Sequence, residues 1–443
     1  SERTQLPMKF SESKALLEET LEIGRLDVLT EGGLSFSGIH NLDNILSRAH
    51  KGGLVSGEEL LKVANTLLSA RRLRRQIFDP ETRPIISYFL IDLVTLPDLE
   101  KLLRFGLEEG GRIADRASSK LASMRHELQR LSLERKDQLN RILRKYSNIF
   151  QDSIIGNRYD RPVLSVKSGS SSQLPGIVHD TSSSGNTVFI EPQKLIPLGN
   201  LIANLNSQIE KEEQDLLRKW SAEVAKNYIS LDHLSNIILK LDLALTRARY
   251  GAFLDGVAPI LNDRKEAPFF LRGLRHPLLI WKEHFNKGEN VVPISIEVSS
   301  EVRVISITGP NTGGKTVTLK SFGLAVLMAR AGLLLPCSER PSIPWCDQVL
   351  ADIGDEQSLQ QSLSTFSGHL RRVNNILDAI KISVGPVLVL LDEIGAGTDP
   401  SEGTALAIAL LKTLADRARL TIATTHFGEL KALKYSDSRF ENA

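Results

Sequence analysis

The run ITGPNTGGKT at residues 307–316 constrains this chain more than any other stretch. It follows the β-like segment VRVIS and precedes a helix-like one, Thr316 to Ala331. Gly309, Gly314, Lys315 and Thr316 keep the G-x-x-x-x-G-K-[ST] spacing, and a strand before it with a helix after it is the setting in which that spacing forms a phosphate loop. The glycines admit a tight turn whose amide N–H groups converge on phosphate oxygens, and the following helix presents its positive end to the same point. Pro310, Asn311, Thr312, Gly313 and Val317 complete the candidate nucleotide-binding set. Lys315 is expected to bridge the β- and γ-phosphates, and the Thr316 hydroxyl to meet Mg2+. A glycine-rich turn with a chance lysine is the alternative, and the flanking elements argue against it.

Two further strand-like runs belong with this loop. VLVLL at 387–391 ends on Asp392 and Glu393, a carboxylate pair delivered by a buried strand. Asp392 is expected to hold the metal through its coordination shell, and Glu393 to orient and deprotonate the attacking water. TIATTH ends on Thr424, Thr425 and His426, where a histidine can sense the γ-phosphate by hydrogen bonding or serve a structural purpose. From about residue 268 onward strands and helices alternate, the pattern of a parallel sheet covered on both faces. ATP and Mg2+ are the expected substrate and cofactor.

At 443 residues the chain is long enough for two or three domains. Lys and Arg exceed Asp and Glu by two, so any basic surface must come from local clustering. Cys337 and Cys346 have no metal-ligand partners at a recognisable spacing and read as small core residues in a reducing, cytoplasmic protein. No apolar run is long enough to span a membrane.

Up to about residue 95 the pattern is helical. In SGEELLKVANTLLSARRLRR, Ser56 and Glu59 have capping-box spacing, and Leu60, Val63, Ala64, Leu67 and Leu68 form one apolar stripe. The arginines that close this helix, Arg71, Arg72, Arg74 and Arg75, read as a solvated C-terminus or as phosphate contacts. Leu121, Met124, Leu128, Leu131, Leu139, Ile142 and Tyr146 then recur at helical steps, and a second series runs from Leu195 through Ile202, Ile209, Leu216 and Trp220 to Val224. Two such helices around a non-helical insert predict an antiparallel coiled-coil arm, each strand about 40 Å long. The insert contains three β-like runs, RPVLSV, GIVHDT and NTVFIEP, and is expected at the arm's tip, burying little by itself. Arg158, Arg161 and Lys167 are its candidate contacts with nucleic acid or ribosome, set against Asp152, Asp160, Asp180 and Glu191. The predicted organisation is a helical core at 1–98, an ascending arm helix at 99–150, a β-rich tip at 151–191, a descending helix at 192–267 and a nucleotide domain at 268–443.

The phosphate loop with Asn311, the STF of LSTFSGHL, the Asp-Glu strand, GAGTDP and the terminal TTH occur in an order that resembles the ATPase of the MutS family, relatives of the ABC and SMC-type ATPases. The resemblance implies a multidomain α and α/β chain that ends in a MutS-type P-loop ATPase. RHPLL at 275–279 is similar to the segment on which that family stacks adenine, which implies His276, followed by Pro277, as a nucleotide contact. It further implies that Ser364 reaches the γ-phosphate of a partner subunit, that Asp399 lies in the loop linking two composite sites, and that the chain forms a homodimer.

GIVHDTSSSGNTVFIEP, GGLVSGEELLKVANTL and LLDEIGAGTDPSEGTALA look like the MutS-two (MutS type 2) branch, which lacks the mismatch-reading domain. Phe-x-Glu occurs at Phe10, Phe189 and Phe427, none of them in a mismatch-reading context, so mismatch recognition is not expected. Full-length members of the branch continue into a Smr-type nuclease domain, and this sequence ends at Ala443, so nuclease activity is not expected of these residues. The resemblance implies two targets: stalled or collided ribosomes, whose subunits an ATP-driven clamp would split, or branched DNA, whose binding suppresses recombination. The near-neutral tip tilts the reading towards the ribosome, since a duplex-DNA clamp calls for several free cations. An SMC-type scaffold would call for a longer arm, and an ABC transporter for a membrane partner.

Overall fold

The structure is a computed structural model and describes residues 6–159, 161–264, 266–286, 290–309, 314–354, 365–396 and 398–443. The first helices are α1 (Phe10–Leu29), α2 (Asp43–His50), α3 (Gly57–Ile77), α4 (Pro84–Leu90), α5 (Pro97–Gly106) and α6 (Ser119–Lys145). Strands β1 (Phe150–Arg158), β2 (Arg161–Lys167), β3 (Gly176–Thr181) and β4 (Thr187–Pro192) follow, then α7 (Ile196–Lys226) and α8 (Tyr228–Phe253). The remaining strands are β5 (Ile260–Asn262), β6 (Phe269–Leu274), β7 (Ile294–Val298), β8 (Val304–Thr308), β9 (Ser342–Pro344), β10 (Gln348–Asp352), β11 (Val387–Leu391), β12 (Leu420–Thr425) and β13 (Phe440–Asn442). Among them lie α9 (Pro277–Asn286), α10 (Lys315–Arg330), α11 (Thr365–Ile382), α12 (Pro400–Arg417) and α13 (Leu433–Ser436). The result is a mixed, mostly helical chain with several sheets. No helix among the described residues is long and apolar enough to cross a membrane.

The chain forms two compact units, one from residues 1–35, 77–91 and 239–443, the other from 36–76 and 92–238. Residues 1–98 thus contribute to both, and α8 gives its first half to one unit and its second half to the other.

The first unit is built on a parallel sheet of order β10-β11-β12-β8-β13. Successive side chains of a strand point to opposite faces, and β11 shows why all five of its residues are apolar. Leu388 and Leu390 join Leu319 and Phe322 of α10 in one core, while Val387, Val389 and Leu391 join Ile376, Leu411 and Leu414 of α11 and α12 in another. A second sheet, β5-β9-β6-β7, encloses the α10 core from its far side. Cys337 and Cys346 lie in that core, and burial pushes both thiols up to about 12, so neither is a ready nucleophile. The chain's front is tied in by polar contacts. Arg330 donates to the carbonyls of Pro7 and Asp347, each at 2.7 Å, and the Glu22 carboxylate accepts from Ile85 N and Ile86 N at the start of α4. That carboxylate serves as the cap the helix's own sequence lacks.

In the second unit the capping box at α3 forms in both directions, Glu59 N donating to Ser56 Oγ and Ser56 N to the Glu59 carboxylate. Arg71 of the basic cluster pairs with the buried Glu100. Helices α6 and α7 pair antiparallel: Lys120 and Ser118 meet Glu212 and Arg125 meets Glu213, whereas Leu131 packs on Leu198 and Ile202.

The insert between these helices differs from expectation in two ways. It has four antiparallel strands, in the order β1-β2-β4-β3, and β1 went unread because FQDSIIGNR lacks a clean alternation. It also buries more than expected. Leu164, Val166, Val188 and Ile190 close over Leu139 and Leu174, with Ile142, Leu143 and Tyr146 packed at the margin. The last turns of α6 serve as the second layer that an isolated small sheet would lack.

Helix α10 approaches the central sheet closely at Gly323, where an added Cβ would stand 2.4 Å from Leu390 Cδ1. Gly323→Val is expected to destabilise this unit by about 1–3 kcal/mol through overpacking, with Gly323→Ala costing less because only the end of Leu390 must swing. Urea unfolding checks this, the Val variant having the lower midpoint.

Candidate nucleotide-binding site

The described ends of the phosphate-loop motif sit where the central sheet ends. Gly309 follows β8 with φ 147°, and Gly314 caps α10 in the left-handed region with φ 78°, conformations that a side chain would strain. Pro310, Asn311, Thr312 and Gly313 lie outside the described residues. Lys315 opens α10 and is only 5% exposed. Its ammonium donates to Gly309 O at 2.5 Å and to Thr425 O at 3.3 Å, so it is held between the ends of the neighbouring strands β8 and β12. Val317, in the first turn of the helix, is exposed.

The carboxylate pair meets this helix through hydroxyl groups. Thr316 Oγ1 donates to Asp392 Oδ1 at 3.3 Å, and the fully buried Thr424 hydroxyl donates to the same oxygen. Thr424 Oγ1 in turn accepts from Glu393 N at 2.8 Å. One hydroxyl therefore links the two acidic residues and seats them on β12. Glu393 takes φ 51°, a left-handed conformation rare for a non-glycine residue. Strain of that kind is found where a side chain must be aimed, and here the Glu393 carboxylate lies 3.7 Å from His426 Nε2. Both side chains remain accessible, Glu393 at 42% and His426 at 46%. A hydroxyl beside a carboxylate suits Mg2+, a hard cation that takes few protein oxygens and keeps waters and phosphates for the rest of its shell.

The remaining nominees fall in different places. His276 immediately precedes α9, whose first residue is Pro277, and Leu278 N donates to its Nδ1 at 3.3 Å, which leaves that nitrogen unprotonated. Burial, then the Lys320 ammonium on α10, hold the ring below the usual histidine range, so it is a neutral half-buried ring near the phosphate-loop helix. Asp399 caps α12, accepting from Ser401 Oγ at 2.6 Å, Ser401 N at 2.9 Å and Glu402 N at 3.4 Å. The Ser401 hydroxyl bond, followed by the two backbone bonds, lowers its carboxyl pKa. Ser364 lies outside the described residues. In the tip, Arg158 pairs with Asp180 and lies over the Phe189 ring, Arg161 binds Glu191 and Asn200, and Lys167 donates to Asn148 O.

Residues 305–443 match the family described as MutS domain V. Over 99% of its length the chain is similar, at 47% identity, to a Synechocystis protein named Endonuclease MutS2, of which it covers 55%. Proteins of the same name from Clostridium botulinum and Clostridium perfringens are 40% identical to it over 96% and 97% of the chain and 53% of their own length. The chain belongs to the MutS family, in its MutS2 branch. It spans about half the length of the curated relatives it matches. MutS domain V is a P-loop ATPase fold, and the parallel sheet with Lys315, Thr316 and Asp392 along one edge is its form in this chain.

Sequence reasoning missed a part of this MutS-family site. Asp352 ends β10 and is 3% exposed. Its backbone carbonyl accepts from Asp392 N at 2.9 Å, while its carboxylate binds His369 Nδ1 at 2.8 Å and Arg372 Nε. Asp352 thus joins Asp392 to α11, the helix that begins directly after Ser364. His369 and Arg372 at i and i+3 are a face-sharing pair, but nothing in their spacing names an aspartate 17 residues upstream as their partner. Asp352→Asn keeps the shape and removes the charge. It is expected to cost about 1.5–3 kcal/mol, the worth of a hydrogen bond to a charged group, read as a lower urea midpoint with the same m-value.

Proposed function

We propose that this chain is the ATP-hydrolysing clamp portion of a MutS2-type homodimer, and that its target is the stalled or collided ribosome. The observation that carries the ATPase reading is the hydroxyl link from Thr424 to Asp392 and Glu393, with Thr316 on the same Asp392 oxygen. It supports the following assignment. The loop from Gly309 to Val317 binds the phosphates, Lys315 neutralises the β- and γ-oxygens, and the His276–Pro277 turn receives adenine. Thr316 and Asp392 would hold Mg2+, which neutralises developing charge on the phosphates when bound. Glu393 takes a proton from the attacking water as that oxygen bonds to the γ-phosphorus and the bond to the β-phosphate oxygen breaks, giving ADP and phosphate. His426, beside Glu393, reports the loss of the γ-phosphate. Ser364 and Asp399 act on the partner's site, so hydrolysis needs the dimer.

In this reading α6 and α7 form a coiled-coil arm, the four-stranded insert is its gripping tip, and nucleotide-driven closure of the dimer moves the arms to split ribosomal subunits. The tip's own cations support the ribosome over duplex DNA. Arg158 and Arg161 are each paired with a carboxylate, so they offer little for displacing the counterions of a DNA backbone. Binding of branched DNA, with suppression of recombination, is the second reading. It is favoured by the basic run of α6, where Lys and Arg outnumber Asp and Glu between residues 101 and 150.

Lys315→Ala is expected to lose nucleotide binding, and Glu393→Gln to bind ATP but turn it over at least 100-fold more slowly. Equilibrium binding of a fluorescent ATP analogue and phosphate release measure the two, and wild-type turnover in Glu393→Gln would remove the general-base role. The same variant, trapped with ATP in a lysate and isolated, is expected to carry ribosomal RNA. Recovery of branched DNA that survives RNase would favour the second reading instead.

A further inference from the structure

We propose that the groove at the base of the tip sheet binds an unpaired RNA nucleotide through its base and flanking phosphates. The proposal rests on the reading that the partner carries RNA, and names where it is gripped. The groove has a volume of about 530 Å3 and runs between the last turns of α6, the loop before β3 and the segment after β4. That size falls within the roughly 300–1,000 Å3 of small-ligand pockets. Arg141 and Lys145 stand one turn apart on one face of α6, and Lys194 enters from the opposite wall.

The charge of this groove differs from that around Arg158 and Arg161. Asp and Glu are absent from its lining, and among the described residues none of these three cations makes an ion pair with a carboxylate. Arg158 and Arg161, by contrast, are neutralised within the tip. The chemistry needed for a base is present as well. Tyr146 gives an aromatic wall, with the Lys145 ammonium 5.2 Å from its ring centroid; the Gln193 amide offers a donor and an acceptor to a base edge, and Gln138, whose Nε2 donates to Glu134 Oε1 at 3.2 Å, offers its carbonyl oxygen. A cationic cleft with an aromatic wall suits single strands, whose bases can be splayed out and stacked. A duplex keeps its bases stacked inside and calls for a long phosphate-tracking surface rather than a pocket.

The test uses the full 443-residue chain and fluorescein-labelled decanucleotides: an unstructured RNA, the matching single-stranded DNA, and a DNA duplex, titrated by anisotropy across KCl concentrations. Wild type is expected to bind the RNA most tightly, with a log–log salt slope near −2 for three contacts at about −0.7 each. Arg141→Ala/Lys145→Ala/Lys194→Ala is expected to weaken that binding at least 10-fold and flatten the slope. Lys136→Ala/Arg144→Ala, on the same helix but outside the groove, is expected to stay within twofold. All five side chains are on the surface, and unchanged thermal unfolding verifies that the variants fold. Wild-type RNA affinity in the groove variant, an equal loss in the control, or DNA in either form bound as tightly as RNA would overturn the proposal. Ribosome pelleting with ATP separates this result from the broader reading. Pelleting without binding of the RNA decamer overturns the groove alone, and loss of both overturns the groove and the ribosome together.

Discussion

Burial of both faces of one parallel sheet sets the position of everything at the nucleotide edge. Because α10 covers one face and α11 and α12 cover the other, β11 has no polar side to turn outward, and its first hydrophilic residue can appear only where the strand leaves the core. That residue is Asp392. Strand β8 leaves the sheet at Gly309 and β12 at His426, the parallel neighbours ending in register with Thr425 opposite Thr308. Three segments separated in sequence thus deliver a cation, a carboxylate pair and an imidazole to one edge.

Within that edge, short hydrogen-bonding chains do the fine alignment. The Thr424 hydroxyl accepts from the amide of Glu393 and donates to Asp392, so the strained backbone at Glu393 is held by a buried group on the adjacent strand. Asp352 adds a second anchor, through its carbonyl to Asp392 and through its carboxylate to α11. Through these bonds α11 and Asp392 share a partner.

The second unit follows a different rule. Its insert is too small to form a two-layer core from strands alone, and it borrows the end of α6 as the missing layer. That borrowing leaves a seam between helix and sheet. The seam gathers Arg141, Lys145 and Lys194 without a carboxylate in its lining, whereas Arg158 and Arg161 of the sheet are each paired with one.

Local patterns in the sequence determined the phosphate loop, the Asp-Glu strand, the TTH strand end, the capping box at Ser56 and Glu59, and the two long apolar helix series, because each depends on residues within a few positions of one another. Strand β1 was illegible, since a strand with exposed isoleucines shows no clean alternation. The pairing of Arg158 with Asp180 and Arg161 with Glu191, the capture of Asp352 by His369 and Arg372, and the meeting of Arg141 and Lys145 with Lys194 were decided by tertiary structure alone. Charges carry no periodicity that names a distant partner. Hydrophobic pattern specifies which face of an element is buried, and only the packed chain specifies which charged side chains are left facing one another.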